Sequence, residues 1–152
     1  MLKNQTPIFL QKELKKILEQ EFDGYLPFET KKEKKSLEIH EQYVPDDYDK
    51  KMPYVLIKID SGDDTGEVRT TKIIFIICIY DESEKYSGYK QCMQIIERIY
   101  QILASRNAIS GFSIDYPIKW ELPEEDYYPY FFGGIETTWE SVKINMKDDE
   151  NC

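Results

Sequence analysis

A chain of 152 residues fits one domain, and at that size roughly 70% of the unfolded surface is buried on folding, so the core needs no disulfide or metal staple. Twenty-nine acidic residues against 20 basic ones give a net charge of −9, which argues against binding nucleic acid through its phosphates, because that affinity comes from Lys and Arg displacing counterions. An acidic wall past which DNA slides is compatible with the same balance.

Cys78 and Cys92 fall in apolar stretches and Cys152 is terminal, so none has metal-ligand spacing or an obvious disulfide partner, as expected of a reducing, cytoplasmic setting. Met1 to Leu18 carries charges throughout and lacks an apolar signal core, and no window approaches the roughly 20 apolar residues of a membrane-spanning helix. A soluble protein without a signal segment is expected.

Thr6-Pro7 predicts a helix start, Thr as N-cap and Pro at the first helical position, with Leu10, Leu14, Ile17, Leu18 and Phe22 on one face and Gly24 as the stop. Tyr25 to Phe28 reads as a turn or short extended piece, and Lys31-Lys32-Glu33-Lys34-Lys35, the single basic run, as a solvated loop. Leu37 and Ile39 suggest a short edge strand, extending to Gln42-Tyr43, and Pro45 to Lys51 a polar loop. Pro53 introduces a strand, Tyr54 to Ile59, with Val55, Ile57 and Ile59 facing one way and Lys58 the other. Asp60 to Glu67 has the Gly and Asp content of a hairpin loop.

Ile73 to Tyr80 is an unbroken run of β-branched, apolar and aromatic residues, read as a strand covered on both faces. Ile73, Phe75, Ile77 and Ile79 lie on one face, and Ile74, Ile76, Cys78 and Tyr80 on the other. After a polar link, a helix from about Ser87 to Ala104 carries Tyr89, Cys92, Met93, Ile96, Tyr100 and Leu103 at helical spacing, with a second stripe of Ile95, Ile99 and Ile102. Strand and helix together hold more apolar surface than a two-layer subunit hides, which points to cover from another copy of the chain. Arg106-Asn107 and Gly111 end the helix, and Phe112 to Ile114 begins a return strand. Pro117 to Gly134 combines prolines, an acidic patch and five aromatics within six positions. Ile135, Thr137 and Trp139 then alternate with Glu136, Thr138 and Glu140 as a last strand with one apolar face. The expected fold is α+β: a mainly antiparallel or mixed sheet with an N-terminal helix and one long helix packed on one side, residues 1–145 as a single domain and 146–152 as a loose tail.

Chemistry is sparse. His40 has no Ser, Cys or Asp partner suggested by spacing. Asp60 to Glu67 lacks the ligand order of a calcium loop, Glu124-Glu125-Asp126 are adjacent carboxylates pointing apart, and Gly133-Gly134 has no following Lys-Ser/Thr to cradle phosphate. The aromatic segment has acidic neighbours, unlike the basic surroundings of base-stacking platforms. No catalytic, cofactor or metal residues are assigned.

In order, Pro53-Tyr54-Val55, Gly62-Asp63-Asp64, Ile73 to Tyr80, Gly88-Tyr89 with Met93, Ile96-Glu97-Arg98-Ile99, Pro117 to Glu124, Tyr128 to Gly133 and Ile135 to Trp139 resemble the tail terminator, or tail completion, proteins of long-tailed bacteriophages and prophages. The resemblance covers Pro53 to Trp139, and its motifs are structural. It implies a virion protein, assembled in the host cytoplasm, that forms a six-membered ring on the head-proximal end of the tail tube. Such a ring stops tube growth and offers a surface to the head connector. The implied partners are other copies of the chain, the tail tube protein and a head-completion protein, with DNA only as passing cargo and no membrane. No cofactor is implied. Candidate interface residues are Tyr127, Tyr128, Tyr130, Phe131 and Phe132 with Ile95, Ile99 and Ile102, unless these pack inside the subunit. Asp60, Asp63, Asp64 and Glu67 are candidates to line the channel, where like charge keeps DNA from sticking. Competing readings are a neck or head-tail adaptor and, from another class, a small-molecule-binding domain or hydrolase. The last predicts a concave pocket with converging polar groups and a shifted ionisable residue.

Overall fold

The computed structural model describes residues 6–24, 36–50, 52–83, 87–106 and 108–141. The expectations for Tyr25 to Phe28, Lys31 to Lys35 and the tail 146–152 lie outside the described residues. Two helices and six strands follow in the order α1 (Pro7–Glu21), β1 (Glu38–Glu41), β2 (Tyr54–Asp64), β3 (Arg69–Tyr80), α2 (Gly88–Ala104), β4 (Ala108–Ile109), β5 (Phe112–Glu121) and β6 (Tyr130–Ser141). The strands form one sheet ordered β1-β2-β3-β6-β5-β4, with β1 parallel to β2 and every other pair antiparallel. The fold is therefore α+β with a mixed sheet.

α1 starts as its sequence dictates. Thr6 has extended backbone angles, its hydroxyl accepts the Phe9 N–H at 3.2 Å, and Pro7 takes the first helical position. Leu10, Leu14 and Leu18 are buried, each worth ~1.5–3 kcal/mol against exposure. Buried Gln11 is satisfied: its Nε2 donates to the Ile57 carbonyl at 2.8 Å and to Gln42 Oε1 at 2.9 Å. Gln42, at φ +66°, turns the chain off the sheet and ends β1, while its amide accepts the Ile59 N–H at 2.9 Å and donates to the Ile59 carbonyl at 3.1 Å. The side chain thus continues a ladder that the backbone leaves.

Both helices lie on one face of the sheet. Ile73, Phe75, Ile77 and Ile79 of β3 have no exposed surface there, and Val55, Ile57, Ile135 and Trp139 join them in a single core with both helices. The Thr137 hydroxyl donates to the Ile73 carbonyl and accepts the Trp139 indole N–H, both at 2.8 Å, so these two buried side chains have their polar atoms paired. α2 sits close to β6 because each side of the contact has a glycine, Gly88 on the helix and Gly133 on the strand. A methyl at Gly88 would land in the Phe131 ring, and one at Gly133 would come within 3.0 Å of Ile96 Cδ1. Arg98 and Arg106 reach Glu21 at the end of α1, each at 3.7 Å, exposed pairs that add little.

Several expectations change. Asp60 to Glu67 is mostly strand: Gly62, Asp63 and Asp64 pair with Thr71, Thr70 and Arg69, and the turn proper is Thr65–Val68. Those residues extend past the helices with nothing apolar to contact, so they carry no strand-like alternation. β6 begins at Tyr130, which puts half of the aromatic segment inside the sheet. Tyr89 and Tyr100 of α2 are exposed, whereas the stripe Ile95, Ile99 and Ile102 faces the core. Among the described residues, no helix or strand lies over the second face of β3.

Gly88→Ala should destabilise the fold by roughly 1–3 kcal/mol, because Phe131 must move. Urea unfolding measures this, and a loss under about 0.5 kcal/mol would mean that α2 packs less tightly than described.

Candidate functional site

Register places the open face row by row. Tyr80 is opposite Tyr130. Tyr54, Cys78 and Phe132 are in line across three strands, followed by Leu56, Ile76 and Gly134, then Lys58, Ile74 and Glu136. Ile74, Ile76, Tyr80, Tyr130 and Phe132 are half-buried, while Cys78 is 2% exposed between Tyr54 and Phe132. This apolar band crosses the middle of an otherwise charged surface.

Aromatic rings thicken the band at both ends. Tyr54 packs edge-on against Tyr48 of the loop after β1 at 5.3 Å, and His40 lies 6.2–6.3 Å from both. At the other end Tyr80 packs on Tyr130 at 5.2 Å, Tyr130 stacks on Phe132 at 6.5 Å, and Tyr127 meets Phe132 edge-on at 5.5 Å. The loop that carries Tyr127 is pinned by its own acids and by β3's exit. Asp126 Oδ1 accepts the Tyr128 N–H at 2.8 Å, Tyr127 donates to Glu125 at 2.8 Å, and the Tyr128 hydroxyl donates to the Glu82 carbonyl. Of the five predicted aromatics, Tyr127, Tyr128, Tyr130 and Phe132 present surface here. Phe131 points the other way and packs on Gly88 and the core.

The stripe Ile95, Ile99 and Ile102 is corrected as an interface: the three are 0%, 0% and 6% exposed inside the subunit's own core. The sheet is wide enough to use both stripes of α2, so helical periodicity alone overstated what was left over. Asp60, Asp63, Asp64 and Glu67 are exposed along the β2–β3 hairpin, where Asp64 also accepts the Gly66 N–H at 2.9 Å and lies 3.9 Å from Arg69. The hairpin and the band are separate parts of the surface, joined by β2 and β3.

Reactive chemistry is muted. Burial pushes the Cys78 thiol up to about 11, offset in part by its hydrogen bond to Tyr54, and burial pushes Cys92 up to about 12. Burial likewise raises Tyr48 to about 12 and pushes Tyr54 up. Each shift moves the group away from its nucleophilic form. His40 Nε2 lies 3.0 Å from Glu38 Oε1 on the same strand, and its aromatic neighbours are Tyr48 and Tyr54. A cleft of about 490 Å³ opens where Gly134 lacks a side chain, lined by Ile74, Lys119, Glu121 and Glu136. Glu136 is already paired with Lys72 at 3.1 Å. No group of three or more His, Cys, Asp or Glu is placed to hold a metal among the described residues, and no described helix is long and apolar enough to cross a membrane.

The Gln11–Gln42 clamp and the Tyr48–Tyr54–His40 cluster were not anticipated. Each depends on a residue past the end of β1, Gln42 or Tyr48, in a stretch whose sequence carries no period.

Because the folded thiols ionise at higher pH than the unfolded ones, they stabilise the fold fully below about pH 9, and that contribution is lost as pH rises through about 11 to 12. Stability should therefore fall between pH 9 and 11, less steeply in Cys78→Ala. Native Cys78 and Cys92 should resist iodoacetamide at pH 8 until urea is added, and rapid native labelling of Cys78 would show that the band is not packed as described. Comparison of the chain with protein-family models and with curated proteins finds no match.

Proposed function

We propose that the chain is a structural subunit of a long-tailed phage or prophage that closes the head-proximal end of the tail tube as a ring. The observation that carries this reading is the open sheet face, a band of Ile74, Ile76, Tyr80, Tyr130 and Phe132 left half-covered beside a fully enclosed core. A band of that kind on one side only suits contact between unlike patches of successive copies, the arrangement that closes into rings when the rotation permits. The order of motifs from Pro53 to Trp139 supplies the family, and six copies is the number it implies.

In this reading the band meets a neighbouring copy, and the aromatic end formed by Tyr127, Tyr128 and Tyr130 lies where the tube protein or the head-completion protein docks. The acidic hairpin with Asp60, Asp63, Asp64 and Glu67 faces the channel, and its charge keeps passing DNA from adhering. No step of chemistry is assigned, and the work done is stopping tube growth and presenting a surface.

Deleting the gene should leave tailless heads beside tubes of uncontrolled length in electron micrographs. Headless tails of normal length would assign the subunit to the neck, and unaffected virions would overturn both assignments. Ile76→Asp, on the half-buried face, should keep the subunit's circular dichroism and fail to complete tails. Phe131→Asp should instead cost ~3–5 kcal/mol and unfold the subunit, because it places a charge against the core.

A further inference from the structure

The loop between β5 and β6 closes a small cleft of about 260 Å³ against the start of α2. Tyr89, Tyr127, Tyr130, Phe131 and Phe132 line it together with Glu125 and Asp126. Five aromatic rings and two carboxylates border one space, while the segment Glu121 to Phe132 holds four acids and no Lys or Arg. Neither Glu125 nor Asp126 has an ion pair among the described residues. Each uses one oxygen to hold its own loop, Glu125 from the Tyr127 hydroxyl and Asp126 from the Tyr128 N–H, so the other oxygen still has capacity to accept.

We propose that this cleft receives an arginine side chain from a partner protein. Its volume is below the ~300–1,000 Å³ of sites that enclose a whole small molecule, so a single inserted side chain fits it better. The faces of aromatic rings attract a cation, and nearby carboxylates accept from it. A guanidinium satisfies both at once, because it is planar enough to stack on a ring and forks its N–H groups toward a carboxylate, whereas an ammonium is a compact, strongly hydrated charge. The subunit's net charge of −9 further favours a basic partner at the encounter stage. That the partner is a tail or neck component rests on the proposed function; the cleft's choice of a guanidinium does not.

The test is a nuclear magnetic resonance titration of the isotope-labelled full chain with acetyl-Gly-Arg-Gly amide and with the same peptide carrying citrulline, which keeps the shape and removes the charge. Saturable shifts should centre on the amides of Tyr127, Tyr130 and Phe132 with the arginine peptide. Binding should be at least tenfold weaker with citrulline and in the double variant Glu125→Gln, Asp126→Asn. Glu125→Gln alone leaves the Asp126 turn bond in place and gives the same reading should the double variant lose its fold. Equal binding of citrulline, undiminished binding by either variant, or shifts scattered over the acidic surface would overturn the proposal. A peptide result in either direction leaves the tail-length phenotype of the deletion unaffected, so the two claims fail separately.

Discussion

Phe75 has no exposed surface, and Ile76 beside it is only half-buried, because two helices lie on one side of the sheet and none of the described helices or strands lies on the other. β3 is apolar on both faces over the same eight residues, so one layer satisfies only half of it. The rest of the structure follows from that imbalance. On the uncovered side Cys78 and Tyr80 have aromatic partners in Tyr54, Phe132 and Tyr130, the thiol between them is shut in, and charge enters at Ile74, which lies between Lys58 and Glu136. An apolar band in contact with water costs free energy roughly in proportion to its area, which is the ordinary driving force for association.

The fold was largely legible because its signals are local. The N-cap and proline of α1, the unbroken run of β3, the apolar spacing of α2 and the alternation from Ile135 to Trp139 each report a structure set by nearby residues, and each element is present. What was illegible depends on tertiary partners. The strands of the β2–β3 hairpin run on through Gly62 and Asp63 because their backbone pairs across the ladder, which no side-chain pattern announces. Tyr130 to Phe132 belongs to β6 although Phe131 and Phe132 face opposite ways, one onto Gly88 and the other onto Cys78.

The candidate surface was legible in composition and less so in geometry. The aromatic segment was visible as a cluster, yet only three-dimensional register distinguishes Phe131, which packs against the core, from its neighbours. Ile95, Ile99 and Ile102 were misassigned for the complementary reason. Helical periodicity counts apolar stripes and says nothing of how broad a sheet the helix must cover, and with Gly88 and Gly133 letting α2 settle close, both stripes are used inside.

The sheet's borders limit how such a subunit can associate. β1 is four residues long and stops where Gln42 turns away and spends its side chain on Ile59, and β4 is two residues long. Beyond β4, β5 is interrupted by Pro117, where its ladder with β6 also shifts register between Asp115 and Lys119. Little uninterrupted backbone is therefore offered for a foreign strand to zip onto, which disfavours fibril-like stacking at high concentration. A greasy panel held between blunted margins favours contact through the flat side of the sheet over contact along its rim.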